Sequence, residues 1–234
     1  MTNQAIIISL TNTVNENFHT PSPLQEVNGK AFLHYQLQYL SDNLFEKIVL
    51  LYNDKNEKYV EFFGDIYLGM EIIHLSYELE KNQSGNIIAA MQHISDPYVF
   101  VFNANNYFRL NLAKADNFRR MRDSKLLLIG KKAENYTCIS EKLFLNEKGK
   151  IINIIKAKDT NDIDTYNTDT WLINLKNFIE LFKGKSQSIF KDYLQSEYGL
   201  NQMYCLACRQ YYIRISCNDD IKKAENDFKE NYYE

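Results

Sequence analysis

Ala5–Leu10 is a short, unbroken apolar run, the pattern of a strand buried on both faces. The polar stretch that follows ends in Pro21-Ser22-Pro23, through which a helix cannot run. From Lys30 to Asp42, Leu33, Leu37 and Leu40 recur at helical spacing, and Lys47–Tyr52 returns to strand character. The same reading predicts a helix over Glu57–Phe63 and a strand over Met70–Ser76. A helix over Gly85–His93, with Ile88 and Met91 on one side, leads to a strand over Tyr98–Asn103. Buried strands alternating with amphipathic helices predict an α/β fold built on a mainly parallel, doubly wound sheet.

The rhythm then changes. Thr137–Leu145 and Ile151–Ala157 flank Asn146-Glu147-Lys148-Gly149, a hairpin or meander beside the sheet. Thr170–Asn174 reads as a strand feeding a helix over Leu175–Phe182, and Gln187–Ser196 as another helix. Met203–Cys208 and Tyr211–Ile215 read as late strands, and Asn218 is placed to cap a last helix reaching about Lys229. With no repeat and no interdomain linker, residues 1–234 are expected to form one domain.

Composition narrows the function classes. Hydrophobic residues make up 45% and charged residues 24%, an ordinary globular balance. A formal charge of -3 supplies no general attraction for nucleic acid or anionic lipid. The local cluster Arg119, Arg120 and Arg122 reads as a solvated helix face. No apolar run approaches the ~20 residues a membrane helix needs, so no membrane insertion is expected. The N-terminal run is also too short and lacks the basic lead of a signal peptide. The expected compartment is the cytoplasm, with reduced thiols at Cys138, Cys205, Cys208 and Cys217. Cys205-Leu206-Ala207-Cys208 has Cys-x-x-Cys spacing but no second pair, so buried thiols are expected rather than zinc. His19, His34, His74 and His93 show no paired ligand spacing. The 17 tyrosines and 14 phenylalanines can supply core packing and an oligomer contact, Tyr232-Tyr233 being one place for it.

Several stretches in order carry a resemblance: Ala5-Ile6-Ile7-Ile8; Pro21-Ser22-Pro23-Leu24 with Val27-Asn28-Gly29-Lys30-Ala31-Phe32-Leu33; Phe62-Phe63-Gly64 with Tyr67-Leu68-Gly69; and Ser84-Gly85-Asn86. Val101 to Phe108, Tyr166-Asn167 and Tyr211 to Ile215 complete the series, which spans nearly the whole chain. Together they resemble the GT-A-like sugar-nucleotidyltransferases, in particular the heptose-1-phosphate guanylyltransferase type of bacterial surface-polysaccharide synthesis. The resemblance implies a Rossmann-like α/β fold with a mostly parallel mixed sheet flanked by helices, and a homodimer. The implied reaction is attack of a sugar-phosphate oxygen on the α-phosphorus of a nucleoside triphosphate, releasing pyrophosphate. Such chemistry rests on positioning and on neutralising negative charge.

The positions that should manage that charge are altered. Where the family carries a Gly-Gly loop with an Arg, Ser9 to Phe18 holds neither glycine nor a basic residue, and Glu16 would repel triphosphate. Ser22 stands in place of a phosphate-contacting lysine; its hydroxyl donates a hydrogen bond but has no charge. Lys30 fits an Asn-Gly-Lys stretch, but further on, as an exposed residue at a helix start. Asn105 and Arg214 occupy the two places where the family supplies aspartates for Mg²⁺. Arg109 falls where another aspartate tends to be found. Other features persist. Ser84 and Gly85 resemble a nucleotide-facing Thr-Gly pair, Glu80 lies near a substrate-side acidic position, and Asn167 matches an Asn bordering the sugar pocket. Asn103, Tyr107 and Phe108 keep the shape of the central turn, so a sugar- or nucleoside-sized pocket can survive.

These residues lead to a degenerate, noncatalytic protein with a binding or regulatory role, whose ligand is a sugar nucleotide or sugar phosphate, or whose partner is another polysaccharide-pathway enzyme. No cofactor is expected on that reading. Two alternatives stay open. One is an active sugar-1-phosphate nucleotidyltransferase with an altered phosphate and metal site, in which Mg²⁺ is retained or Arg109 and Arg214 neutralise phosphate. The other is a structural subunit of a biosynthetic complex.

Overall fold

The unbroken run at the N-terminus forms the middle strand of a sheet. In the computed structural model, which describes residues 2–9, 22–53, 58–77, 83–132, 141–156, 165–182 and 203–231, it is β1 (Gln4–Ser9). A 3-10 turn (Ser22–Leu24), β2 (Glu26–Val27), β3 (Lys30–Ala31), α1 (Phe32–Asp42) and β4 (Lys47–Asn53) follow. Next come α2 (Lys58–Phe63), β5 (Ile66–Tyr67), β6 (Met70–Tyr77), α3 (Gln83–Met91), β7 (Tyr98–Asn103) and β8 (Asn106–Phe108). Then α4 (Leu112–Arg122) leads to β9 (Leu126–Lys131), β10 (Glu141–Leu145), β11 (Ile151–Lys156) and β12 (Tyr166–Asn174). The last elements are α5 (Leu175–Phe182), β13 (Met203–Cys208), β14 (Tyr212–Arg214) and α6 (Asn218–Asn231).

The main sheet runs β5–β6–β4–β1–β7–β12–β9–β13, with the β10–β11 hairpin joined at the start of β12. Strands β6, β4, β1 and β7 are parallel, β12 is antiparallel to both its neighbours, and β9 and β13 are parallel. This is a Rossmann-like mixed α/β sheet flanked by helices. Successive β1 side chains enter different cores: Ala5 and Ile7 pack with Leu33, Leu37 and Phe100, whereas Ile6 and Ile8 pack with Ile87, Val101 and Trp171. Burial on both faces is why alternation is absent from this strand. A third core gathers Phe32, Tyr35, Tyr107, Ile213 and Phe228 beneath α6.

Several boundaries differ from the pattern reading. The helix expected from Lys30 starts at Phe32, because Val27 and Lys30 pair across a tight turn with Asn28 and Gly29 at φ 49° and 81°. Asn218 is not the cap of the last helix. It is the first residue of that helix, and Asp220 in the first turn reaches back to accept from the Ser216 and Cys217 backbone N–H groups at 2.8 and 3.0 Å, the reciprocal half of a capping box. Besides the 3-10 turn and the short strands β2, β3, β5 and β8, the longer elements α4 and β9 lie outside the predicted set. Helix α4 buries only Leu112, Ala115 and Asp116, so its apolar stripe is thin, and its start is fixed by Asn111, which accepts from Lys114 N–H at 2.8 Å. Strand β9 has the same unbroken apolar signature as β1 and takes the position between β12 and β13. The expected helix Gln187–Ser196, and the positions Glu80, Cys138 and Tyr232-Tyr233, lie outside the described residues.

Candidate functional site

In an open α/β sheet, ligands gather outside the carboxyl ends of strands where the winding direction reverses. Here the reversal lies at β1, flanked by β4 on one side and β7 on the other. Ser9 ends β1, and its hydroxyl is 2.6 Å from that of the fully buried Tyr59. Across the reversal, β7 ends at Asn103, whose Oδ1 accepts from Asn105 N–H at 2.9 Å. The turn is tied to β1 by Ala104 N–H donating to Ile8 O at 2.9 Å.

The structure brings Asn105 and Arg214 together. Strands β8 and β14 pair antiparallel with Arg214 opposite Asn106, and Ile215 N–H donates to Asn105 O at 2.9 Å. Asn167 enters the same corner from β12, since Asn106 Nδ2 donates to Thr168 O at 2.7 Å. Two carboxylates that the sequence reading misses complete the cluster. Asn167 Nδ2 donates to Glu141 Oε2 at 3.1 Å and to Asp169 Oδ1 at 3.2 Å. Arg214 reaches Asp169 Oδ2 at 3.3 Å.

Asp169 owes its position to a break in the strand. Register shifts between Asn167 and Thr170, and Asp169 adopts φ 53°, a left-handed conformation that glycine accepts more readily. The polar run Tyr166-Asn167-Thr168-Asp169 inside a strand is a bulge signal, though it does not identify a partner. Burial pushes the Asp169 carboxyl up to about 6; Arg214 opposes the shift and Glu141 adds to it. Nearby, Asn105 Oδ1 and Asn106 Oδ1 are buried acceptors with no hydrogen-bond partner among the described residues. A ligand hydroxyl or N–H would satisfy Asn105 without introducing charge.

Mg²⁺ does not suit this donor set. Asn105 offers a neutral oxygen, Arg214 offers only N–H donors, and the Asp169 carboxylate is held by Arg214. A divalent cation here would face a fixed guanidinium.

The remaining candidates lie elsewhere. Ser22 begins the 3-10 turn, and Ser84 and Gly85 lie in the first turn of α3 after β6. Arg109 follows β8, its N–H donating to Tyr211 O at 3.1 Å and its Nε to Tyr107 Oη at 3.5 Å. Lys30 Nζ donates to His34 Nε2 at 3.0 Å, and His34 Nδ1–H donates to Tyr67 Oη at 2.8 Å. Burial, then the Lys30 charge, lowers the His34 pKa, in keeping with a neutral ring. His74 donates from Nε2 to Gly64 O at 2.7 Å, and His93 is exposed. Cys205 and Cys208 are both buried, but they belong to cores on opposite faces of the sheet. A separation of three along a strand cannot aim two thiols at one ion.

Comparison with known proteins adds a family context. No protein-family model matches the chain. It is 23% identical over 212 residues to the D-glycero-alpha-D-manno-heptose 1-phosphate guanylyltransferase of Aneurinibacillus thermoaerophilus, covering 89% of this chain and 90% of that one. Similarity to the enzyme of the same name from Campylobacter jejuni is 23% over 200 residues, covering 86% and 87%. Among solved structures, HddC from Yersinia pseudotuberculosis superposes with a TM-score of 0.83 at 20% identity, over 96% of this chain and 99% of that one. At that identity the superposition speaks for the fold alone.

Proposed function

From the premise that this chain belongs to the GT-A-like sugar-nucleotidyltransferases, of heptose-1-phosphate guanylyltransferase type, we propose that it is a degenerate member that binds a sugar nucleotide or sugar phosphate without transferring a nucleotide. Its setting on this reading is bacterial surface-polysaccharide synthesis, in a binding or regulatory role. The observation that carries the proposal is the Arg214–Asp169 pair beside Asn105. A cation, itself neutralised by an internal carboxylate, stands at one of the two places where the family's aspartates would hold a metal, and the neutral amide of Asn105 at the other. What remains suits hydroxyl and amide donors: the unpartnered Asn105 oxygen and the Asn167–Glu141 pair.

The test is a pyrophosphate-release assay with sugar 1-phosphates, nucleoside triphosphates and Mg²⁺, run beside calorimetric titration of sugar nucleotides. Expected are no turnover and sugar-nucleotide binding that is indifferent to Mg²⁺. Mg²⁺-dependent turnover abolished by Asn105→Ala or Ser22→Ala would overturn the reading. A second reading, transfer with a guanidinium taking over charge neutralisation, is favoured by the place of Arg214. It requires Mg²⁺-independent turnover that disappears in Arg214→Gln.

A further inference from the structure

The β10–β11 hairpin bends back over the outer edge of the sheet. Cys205 N–H donates to Gly149 O at 2.8 Å, and Lys150 bridges to Tyr204. The turn itself is pinned by Asn146, whose Oδ1 accepts from Lys148 and Lys150 N–H groups at 3.0 and 2.9 Å. Gly149, at φ 76°, fits so closely that a Cβ would lie 2.9 Å from Phe118 Cζ and 3.0 Å from Cys205 O. This turn, α4 and β13 thereby border an open cleft of about 810 Å³. That volume is within the usual ~300–1,000 Å³ of small-molecule sites. None of the residues lining it belongs to the Asn105–Asp169–Arg214 corner.

The lining has a definite chemistry. Among the described lining residues, Arg122, Lys132 and Lys148 outnumber the single carboxylate of Glu147, while Phe118 and Leu143 are among the apolar walls. Arg122 lies with its guanidinium carbon 5.5 Å from the Phe118 ring centroid. Its Nε–H is buried without an acceptor among the described residues, and such a donor in a low-dielectric site is costly unless a ligand supplies one. Cys205 adds an apolar wall, because burial raises its thiol pKa far above neutrality.

We propose that this cleft is a second ligand site, for an organic anion with an apolar ring or chain, whose acid group is received by Arg122 with Lys132 and Lys148. Arg122 contributes a directed N–H to an anionic oxygen, and the lysines contribute charge at the rim. The ring or chain lies along Phe118 and Leu143. This site is independent of whatever occupies the strand ends.

Fluorescence titration of the full chain with anilinonaphthalene sulfonate, an aromatic anion, tests it. Expected is saturable binding at one site, weakened about tenfold or more by Arg122→Gln, the equivalent of one charge-assisted hydrogen bond. Lys148→Gln, at an exposed turn where folding is not at stake, is expected to weaken it several-fold, and Arg122→Lys to restore part of the loss. Arg214→Gln should leave it unchanged. Absence of saturable binding, indifference to both Arg122→Gln and Lys148→Gln, or loss in Arg214→Gln would each overturn the proposal.

Discussion

Asp169 holds a carboxylate on backbone at φ 53°, with Arg214 at 3.3 Å and Glu141 sharing its Asn167 donor. Its carboxyl is pushed up to about 6 from an ordinary 3.8, chiefly by burial. Between those values the folded protein holds a proton that the unfolded chain has released. Stability therefore falls as pH rises through that interval and levels off above it. With 22% of the side chain still exposed, the loss is discounted to ~1–2 kcal/mol. Urea unfolding of the parent protein followed from about pH 4 to about pH 7 should show this decline, and Asp169→Asn should flatten it. A parent curve that rises over the same interval would mean that Arg214 outweighs burial.

At the scale of elements, the packing of β9 between β12 and β13 depends on one missing side chain. A Cβ at Gly130 would lie 2.3 Å from Thr165 Cγ2 and 2.7 Å from Cys205 Sγ. Gly130→Ala is therefore expected to cost ~1–3 kcal/mol through overpacking, read as a lower urea midpoint. Adding Thr165→Ser, which removes the nearer methyl, should recover part of that loss. If the double variant is no more stable than Gly130→Ala alone, the clash with Thr165 is not its source.

Across the whole molecule, the C-terminal helix secures one wall of the candidate site. Phe228 of α6 stacks with Phe32 at 6.4 Å and packs with Tyr35 and Tyr107 at 4.5 and 5.0 Å between ring centroids. Ile213, next to Arg214, belongs to the same core. Phe228→Ala should cost ~3–5 kcal/mol in global stability, and thermal unfolding would show it. Amide exchange at Ile213 and Ile215 should accelerate more than at β1, because β14 belongs to a two-stranded sheet with β8 and rests on this aromatic core, whereas β1 is paired on both sides within the main sheet. Equal acceleration at both places would show that α6 supports the fold evenly. No helix among the described residues is long and apolar enough to cross a membrane.

The sequence by itself determined the elements whose burial is nearly total or cleanly one-sided. Strands β1, β4 and β7 are written as apolar runs, and α1 as leucines at helical spacing. The order of family-like segments likewise pointed to the fold, and it singled out Ser22, Asn105 and Arg214 as positions to inspect. Helix α4 was less legible because few of its residues touch a core, and the capping-box role of Asp220 depends on a carboxylate turning back on two N–H groups. Only the tertiary structure decided what Arg214 does. Its partner lies 45 residues earlier, on a bulge whose left-handed backbone no periodicity encodes. Hydrophobic pattern records how much of each side chain leaves water, whereas the pairing of two charges depends on which distant strands that burial brings together.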